Sequence, residues 1–137
     1  MSFPARRRDR PSEVSYATYH YTTVAVPVPG GSEVTLKTVD GTGRLVYTSF
    51  HTINLHLQLR VYSDEVLALI LQPSALNEWG YTANSPGKQL LMYDTVNNDY
   101  RGACTIPLTF RRQLKIAAYC DFDTLVYLGS TIVHLQV

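Results

Sequence analysis

Hydrophobic and polar residues alternate along much of this chain, and the clearest example is the stretch Phe50–Val61. From Ile53 to Val61, aliphatic residues occupy every second position, and polar residues fill the positions between them. A period of two places one set of side chains on each face of a β-strand. On a helix, the same residues would spread apolar groups around the whole axis. The stretch therefore predicts a central strand of a sheet with one solvated face.

Similar alternation recurs from Val14 to the C-terminal end and is interrupted by turn signals. These signals are Pro29–Ser32, Asp40–Gly43, Asn97–Asp99 and Asp121–Asp123. The continuous apolar run Val66–Leu71 fits a strand that is buried on both faces, and a short helix capped by Ser63 or Asp64 is the alternative. About eight strands can be counted, with no helix longer than two turns. This pattern predicts an all-β antiparallel sandwich or barrel.

Length and charge divide the chain into a short arm and one domain. A chain of 137 residues fits a single domain, which we place at residues 13–137. Residues 1–12 are expected to form a flexible arm. Its basic residues are Arg6, Arg7, Arg8 and Arg10. Against Asp9 they give the arm's first ten residues a charge of +3, and the rest of the chain carries −2. This localised charge predicts contact with nucleic-acid phosphates or an anionic membrane surface, and a solvated terminus is the alternative.

The N-terminal arginines are not followed by an apolar segment, so no secretory signal is expected. No apolar run approaches the ~20 residues that a membrane helix needs. Cys104 and Cys120 both lie in alternating apolar patterns and are interpreted as small buried hydrophobes, with a disulfide left open. A cytoplasmic or nuclear location is the default expectation for such a chain.

Candidate catalytic groups are sparse. His51 and His56 are five positions apart and would point to opposite faces of a strand, which argues against a shared metal ion. Pairing of a cysteine with His134 as nucleophile and base lacks any local sequence support. There is also no phosphate-binding glycine loop followed by a helix. We therefore expect no enzymatic activity, no metal site and no cofactor.

Aromatic residues are the candidates for contacts between subunits, because aromatic side chains are enriched at the centres of interfaces. The candidates are Tyr16, Tyr19 and Tyr21 near the first strand, and Trp79 and Tyr81 in the segment 72–88. A homo-oligomer of many copies is expected.

Several landmarks of the chain match one family pattern. Arg6–Arg8 looks like a short basic arm that precedes a β-sandwich. Gly41–Arg44, followed by Phe50–Val61 and Val66–Leu71, is similar to the early strand pairing of geminivirus coats. The segment 114–135 looks like their closing hairpin. In these features the chain resembles the single jelly-roll coat proteins of small icosahedral viruses, of the geminivirus, nanovirus and plant satellite virus types.

The resemblance implies a jelly-roll-like β-sandwich that acts as a self-assembling capsid subunit. It also implies that Arg6, Arg7, Arg8 and Arg10 contact packaged nucleic acid. The protein would be found in the virion, and in the host cytoplasm or nucleus during assembly. A shell of about 60 copies would hold about 240 arm arginines, well short of neutralising about a thousand phosphates. Either other basic side chains face inward, or the protein is an accessory shell component.

A second resemblance is to rhabdovirus matrix proteins, in the order of landmarks along the chain. The landmarks are Tyr62–Asp64, an apolar run, Trp79, Gly87–Lys88 and Phe110–Arg112. This resemblance implies a protein that bridges nucleocapsid and membrane, with the basic arm on the membrane surface. It also predicts a helix at Val66–Leu71. Another viral or phage accessory structural β-module, and a small enzyme or ligand binder, are further alternatives.

Overall fold

A computed structural model describes the backbone of residues 15–136 and the side chains of residues 16–134. The predicted arm at residues 1–12 lies outside the described residues, and with it Arg6, Arg7, Arg8 and Arg10. Eleven strands and one short helix occur in residues 15–136. The strands are β1 (Ser15–Thr22), β2 (Val26–Val28), β3 (Val34–Asp40), β4 (Gly43–Thr52), β5 (Gln58–Ser63), β6 (Val66–Leu71), β7 (Lys88–Asp94), β8 (Asp99–Cys104), β9 (Leu108–Phe110), β10 (Gln113–Tyr119) and β11 (Thr124–Gln136). The helix, α1, is Pro73–Glu78.

The strands form two antiparallel sheets. The large sheet has seven strands, in the order β1-β11-β4-β8-β7, with β2 also paired to β11 and β9 to β4. The small sheet has four strands, in the order β3-β10-β5-β6. Because the chain crosses repeatedly between the sheets, β3 and β4 are neighbours in sequence but lie in different sheets. This is the double-sheet arrangement of a jelly roll, and it confirms the predicted jelly-roll-like β-sandwich.

The register of the large sheet gives the sandwich two poles. At the terminal pole, Ser15 pairs with Gln136, and β4 begins nearby at Gly43, which pairs with both β11 and β9. At the opposite, hairpin pole, β4 ends at Thr52 beside the turn 95–98 that joins β7 to β8. Both ends of the described chain therefore lie at the terminal pole.

The core lies between the sheets and consists of residues from alternating strand positions. Its largest fully buried side chains include Tyr100, Phe110, Leu45, Leu57, Leu59, Leu71, Leu114, Ile116 and Ile132. Cys104 and Cys120 are buried free thiols, which confirms their interpretation as small hydrophobes. Two inward-facing threonines donate their hydroxyls to backbone carbonyl oxygens, Thr52 to Leu125 at 2.7 Å and Thr48 to Gly129 at 3.3 Å.

The stretch Phe50–Val61 is not one strand, and that prediction was wrong. β4 ends at Thr52 and β5 begins at Gln58, so the chain crosses from the large sheet to the small sheet between them. Both strands are interior strands of their sheets, so the predicted central position holds for each half. This division and the three-residue strands β2 and β9 contribute to a strand count above the predicted eight.

The crossing is made by a turn at Asn54. The Asn54 Oδ1 accepts a hydrogen bond from the backbone N–H of His56 at 2.8 Å. This is an Asx-turn, in which the asparagine side chain mimics a backbone turn. The aliphatic residue before the turn, Ile53, is 48% exposed, whereas Leu57 and Leu59 after it are fully buried. Alternation continues through the sequence while the chain changes sheets.

The run Val66–Leu71 is a strand, as predicted, but it is not buried on both faces. β6 lies at the edge of the small sheet. The register with β5 sets Leu67 beside Tyr62 and Ile70 beside Arg60 on the outer face of the sheet. The helix that the matrix-protein resemblance predicts for this run is not formed.

Candidate functional surfaces

The free edge of the small sheet is formed by β6, whose six residues are all aliphatic. Among the described strands β6 pairs only with β5, so its other side has no strand partner there. Val66, Leu67 and Ile70 are 66%, 44% and 41% exposed. Natural edge strands usually carry charges, prolines or bulges that discourage pairing with another chain. β6 has a register shift against β5 around Ala68, but it has neither a charge nor a proline.

Three other peripheral strands of the sandwich differ from β6 in this respect. β3 contains Lys37 and Asp40. β7 begins with Lys88 and ends with Asp94, and β2 contains Pro27. These residues oppose strand addition at β2, β3 and β7. The outer strand β1 also lacks a formal charge and a proline, but most of its residues carry polar groups. β6 is therefore the most apolar of these edges.

Trp79 extends the exposed apolar surface beyond β6. Helix α1 begins at Pro73, a favoured residue in the first helical turn, and Leu76 anchors it with 4% exposure. The helix ends at Glu78, and the residue that follows it, Trp79, is 79% exposed. Ile70, Leu76, Trp79 and Tyr81 together line a depression of about 320 Å³. We call β6 together with Trp79 the aliphatic edge.

A second surface lies at the terminal pole, where β4, β9, β11 and the start of β1 meet. Its open trough has a volume of about 620 Å³. The lining residues are Tyr16, Thr42, Gly43, Arg44, Thr109, Phe110, Arg111 and Val133. We call this the arginine trough. Strand register brings the lining together, since Arg44 pairs with Thr109 on one side and with Val133 on the other.

Glycine at position 43 allows the strands under the trough to approach closely. A Cβ there would collide with the Val133 carbonyl oxygen and would lie 2.9 Å from the Phe110 Cζ. Nearby, the Thr42 hydroxyl donates to the Arg111 carbonyl oxygen at 2.8 Å. This bond holds the Arg111 backbone beside β4, so the backbone on this side of the trough is fixed by the fold.

The arginine trough carries two exposed basic side chains. Arg44 and Arg111 are exposed, and the described residues that line the trough include no carboxylate. Neither guanidinium has an ion pair with any residue between 15 and 136. Some basic groups elsewhere are paired with a carboxylate. Arg60 and Lys115 lie 3.0 and 3.6 Å from the carboxylate of Glu33.

The pKa of Glu33 reflects this pairing. Burial raises that pKa, but hydrogen bonds from Tyr62 and Arg60 outweigh the burial, and the pKa of the carboxyl lies below its ordinary value. Two basic side chains on the outer face of the small sheet therefore share this one carboxylate.

The predicted interface residues fall at opposite edges of the sandwich. Tyr16 lines the arginine trough and is 61% exposed. Tyr19 lies edge-on to His134, and Tyr21 packs against the core beneath the Lys37 ammonium. On the far side, Trp79 and Tyr81 lie near β6 and β7. The structure therefore does not bring the two aromatic groups together, and their role in subunit contacts stays a prediction.

A cluster on the outer face of the large sheet was missed by sequence reasoning. His51 Nε2 lies 2.9 Å from the Asp99 carboxylate, and the His51 ring stacks on Tyr127 with centroids 5.4 Å apart. A hydrogen bond from Arg101 lowers the pKa of Asp99. The pairing of β4 with β8 and β11 creates the cluster, and no local sequence signal marks it. His56 lies in the crossing loop and does not join it.

Two kinds of site do not occur among residues 15–136. No group of three or more His, Cys, Asp or Glu side chains there could hold a metal ion. No helix in the same range is long and apolar enough to cross a membrane. Comparison with known protein families and with curated proteins yields no match to the chain.

Asp64 fixes the turn that carries Arg111. Its carboxylate accepts the backbone N–H groups of Arg111, Arg112 and Gln113 at 3.1, 2.7 and 3.0 Å. Hydrogen bonds from Gln113, Arg112 and Arg111, in that order of size, hold the pKa of Asp64 below its ordinary value of 3.8. The charged form of Asp64 therefore stabilises the fold.

Replacing Asp64 by asparagine is expected to lower Tm by several degrees at pH 7, because an amide accepts these bonds more weakly than a carboxylate. Since the folded pKa is depressed, the stabilisation is complete above pH 3.8 and is lost as the pH falls through the lower, folded value. The difference in Tm between wild type and Asp64→Asn should thus close in strongly acidic buffer. Glu78→Gln, at an exposed carboxylate, is the control with little effect. A difference in Tm that stays constant from neutral to strongly acidic pH would contradict this account.

Proposed function

We propose that this protein is a self-assembling structural subunit, the capsid protein of a small icosahedral virus. In this proposal the N-terminal arginines contact packaged nucleic acid. The protein is located in the virion, and in the host cytoplasm or nucleus during assembly. The observation that carries the proposal is the aliphatic edge on a jelly-roll body.

The aliphatic edge has the properties of a surface that is covered in use. An unprotected apolar edge strand is a template for pairing with another chain, and its exposure on a lone molecule is an aggregation hazard. Trp79 beside it is the residue type most enriched in interface hot spots. A chain that keeps such an edge is suited to ordered association with copies of itself.

Area indicates that one contact of this kind does not complete an assembly. Val66, Leu67, Ile70 and Trp79 together expose roughly 400 Å² of apolar side-chain surface, about half of the ~800 Å² that each partner buries in a standard interface. Stable association therefore needs further contacts per subunit. The tyrosines of β1, at the opposite edge of the sandwich, supply a second candidate surface. Two different contacts per subunit allow many copies to join.

The strand at Val66–Leu71 favours a capsid subunit over a matrix protein, because the matrix resemblance predicts a helix there. The jelly roll supports the same choice, since this architecture recurs in viral capsid domains. Fold alone does not determine function. The weight of the proposal therefore falls on the aliphatic edge.

Negative-stain electron microscopy of the purified full-length chain tests the proposal. We expect uniform closed shells, formed alone or on addition of single-stranded nucleic acid. A monodisperse monomer at every concentration and with nucleic acid present would overturn it. Sheets or filaments that form only on anionic vesicles would favour the matrix alternative instead.

A further inference from the structure

We propose that the arginine trough binds the sugar–phosphate backbone of single-stranded nucleic acid, as a contact separate from the N-terminal arm. The inference rests on the proposed function for its ligand, the packaged nucleic acid. It is carried by Arg44, Arg111 and Tyr16, and by a lining whose described residues include no carboxylate.

The two arginines provide the chemistry that phosphate requires. A guanidinium is planar and permanently charged, and it can donate two parallel hydrogen bonds to one phosphate. Arg44 projects from β4, and Arg111 from the turn before β10. The lining between them includes Thr109, which is exposed and can donate from its hydroxyl. The volume of about 620 Å³ is in the usual range of ligand sites, ~300–1,000 Å³.

The carboxylates of Asp64 and Asp40 are near the trough in the fold, but neither lines it or forms an ion pair with Arg44 or Arg111. Asp64 is held by three backbone N–H groups. Asp40 accepts the side-chain amide of Gln113 at 3.1 Å. Arg44 and Arg111 therefore form a positive site on a body whose overall charge is negative. On about 60 copies the trough would add about 120 arginines to the about 240 of the arms, which supplies part of the further basic surface that about a thousand phosphates require.

Tyr16 favours single-stranded nucleic acid over other polyanions. Its ring lines the trough and is largely exposed, so a base can stack on it while the adjoining phosphate meets an arginine. Stacking of this kind is tolerant of sequence and is worth about 1–3 kcal/mol per base. An anionic membrane surface would be attracted to the charge, but it has no flat base for Tyr16 to stack on.

The position of Tyr16 also links the trough to the arm. Arg10 is six residues before Tyr16 in sequence. Six residues of fully extended chain span at most about 20 Å. A single-stranded nucleic acid that is bound by the arm is therefore within reach of the trough on the same subunit. Two tethered contacts bind one ligand more tightly than either alone.

Salt dependence separates the two contacts. Binding of a fluorescent ~20-nucleotide oligothymidine to the unassembled chain is measured by anisotropy across a range of NaCl concentrations. Six arginines predict a slope of log K against log salt of about −4.2, and the four arm arginines alone about −2.8. The slope for Arg44→Ala/Arg111→Ala should therefore be shallower by about 1.4. This change corresponds to about 25-fold weaker binding at 0.1 M salt.

Matched variants make the result specific. Lys88→Ala/Arg101→Ala removes the same charge from elsewhere on the body, and its slope should remain that of the wild type. Tyr16→Ala should weaken binding at least about fivefold with little change in slope, and Tyr16→Phe should restore it. Circular dichroism verifies that each variant is folded.

An unchanged slope in the Arg44→Ala/Arg111→Ala variant would overturn the inference. So would binding to vesicles containing phosphatidylserine without binding to the oligonucleotide. Microscopy distinguishes this failure from failure of the proposed function. Shells with an unchanged slope refute only the trough, whereas an altered slope in a chain that never assembles supports the trough and refutes the capsid.

Discussion

Leu67→Lys combined with Ile70→Lys is expected to abolish assembly of the full-length chain while leaving a folded subunit. Both side chains lie on the outer face of β6. Lysine is a residue that natural edge strands use to prevent pairing. If two edges meet, like charges face each other and cost several kcal/mol. A cost of about 3 kcal/mol raises the concentration required for assembly about 100-fold. Light scattering and microscopy over a concentration series measure the effect.

The control for this prediction adds the same charge at other exposed valines. Val24 and Val96 are 81% and 86% exposed and lie away from β6, so Val24→Lys/Val96→Lys should assemble as the wild type does. Thermal unfolding should give similar Tm values for both double variants, because long lysine stems can cover apolar surface while the ammonium stays in water. Unimpaired shells from the β6 variant would mean that the aliphatic edge is not a subunit contact.

Leu59→Ala is expected to lower the free energy of unfolding by about 2–5 kcal/mol, the range for emptying a buried leucine site. Leu59 is fully buried in the core, between the partners Ala118 and Leu71 of the neighbouring strands. Ile53→Ala should cost less than about 1 kcal/mol, because Ile53 is 48% exposed in the crossing loop and surface substitutions usually have small effects. Urea denaturation of the two variants measures both values.

This pair of variants separates two interpretations of the same alternating sequence. If Phe50–Val61 were one strand, Ile53 and Leu59 would share a buried face. Replacing either residue by alanine would then lower the free energy of unfolding by a similar amount. Equal losses of more than 2 kcal/mol would therefore contradict the crossing at Asn54. A much larger loss at Leu59 is what the described fold requires.

The β-sandwich could be predicted from sequence because alternation reports which residues share a face. Alternation does not report which sheet a strand joins. The turn at Asn54 interrupts the strand without interrupting the pattern, so the crossing from β4 to β5 was invisible. The run Val66–Leu71 was expected to be doubly buried because it is continuously apolar, yet its burial depends on its place at an edge. That place is set by distant strand pairing.

The candidate surfaces were predictable to different degrees. Trp79 could be proposed because exposed aromatic residues in loops are typical of interfaces, and its neighbour Ile70 followed only from the fold. Arg44 and Arg111 are visible in the sequence as charges, but they are 67 positions apart. Strand register alone places them around one trough, so no local pattern could identify it.

The direct pairing of Ser15 with Gln136 gives the subunit a polarity. Both ends of the described chain emerge beside the arginine trough, whereas the tip at Val96 occupies the far pole. In a closed shell with the trough facing its contents, Ser15 and Gln136 would both lie on the side of the lumen. A foreign epitope inserted at Val96 would be displayed outside, on the surface that antibodies reach.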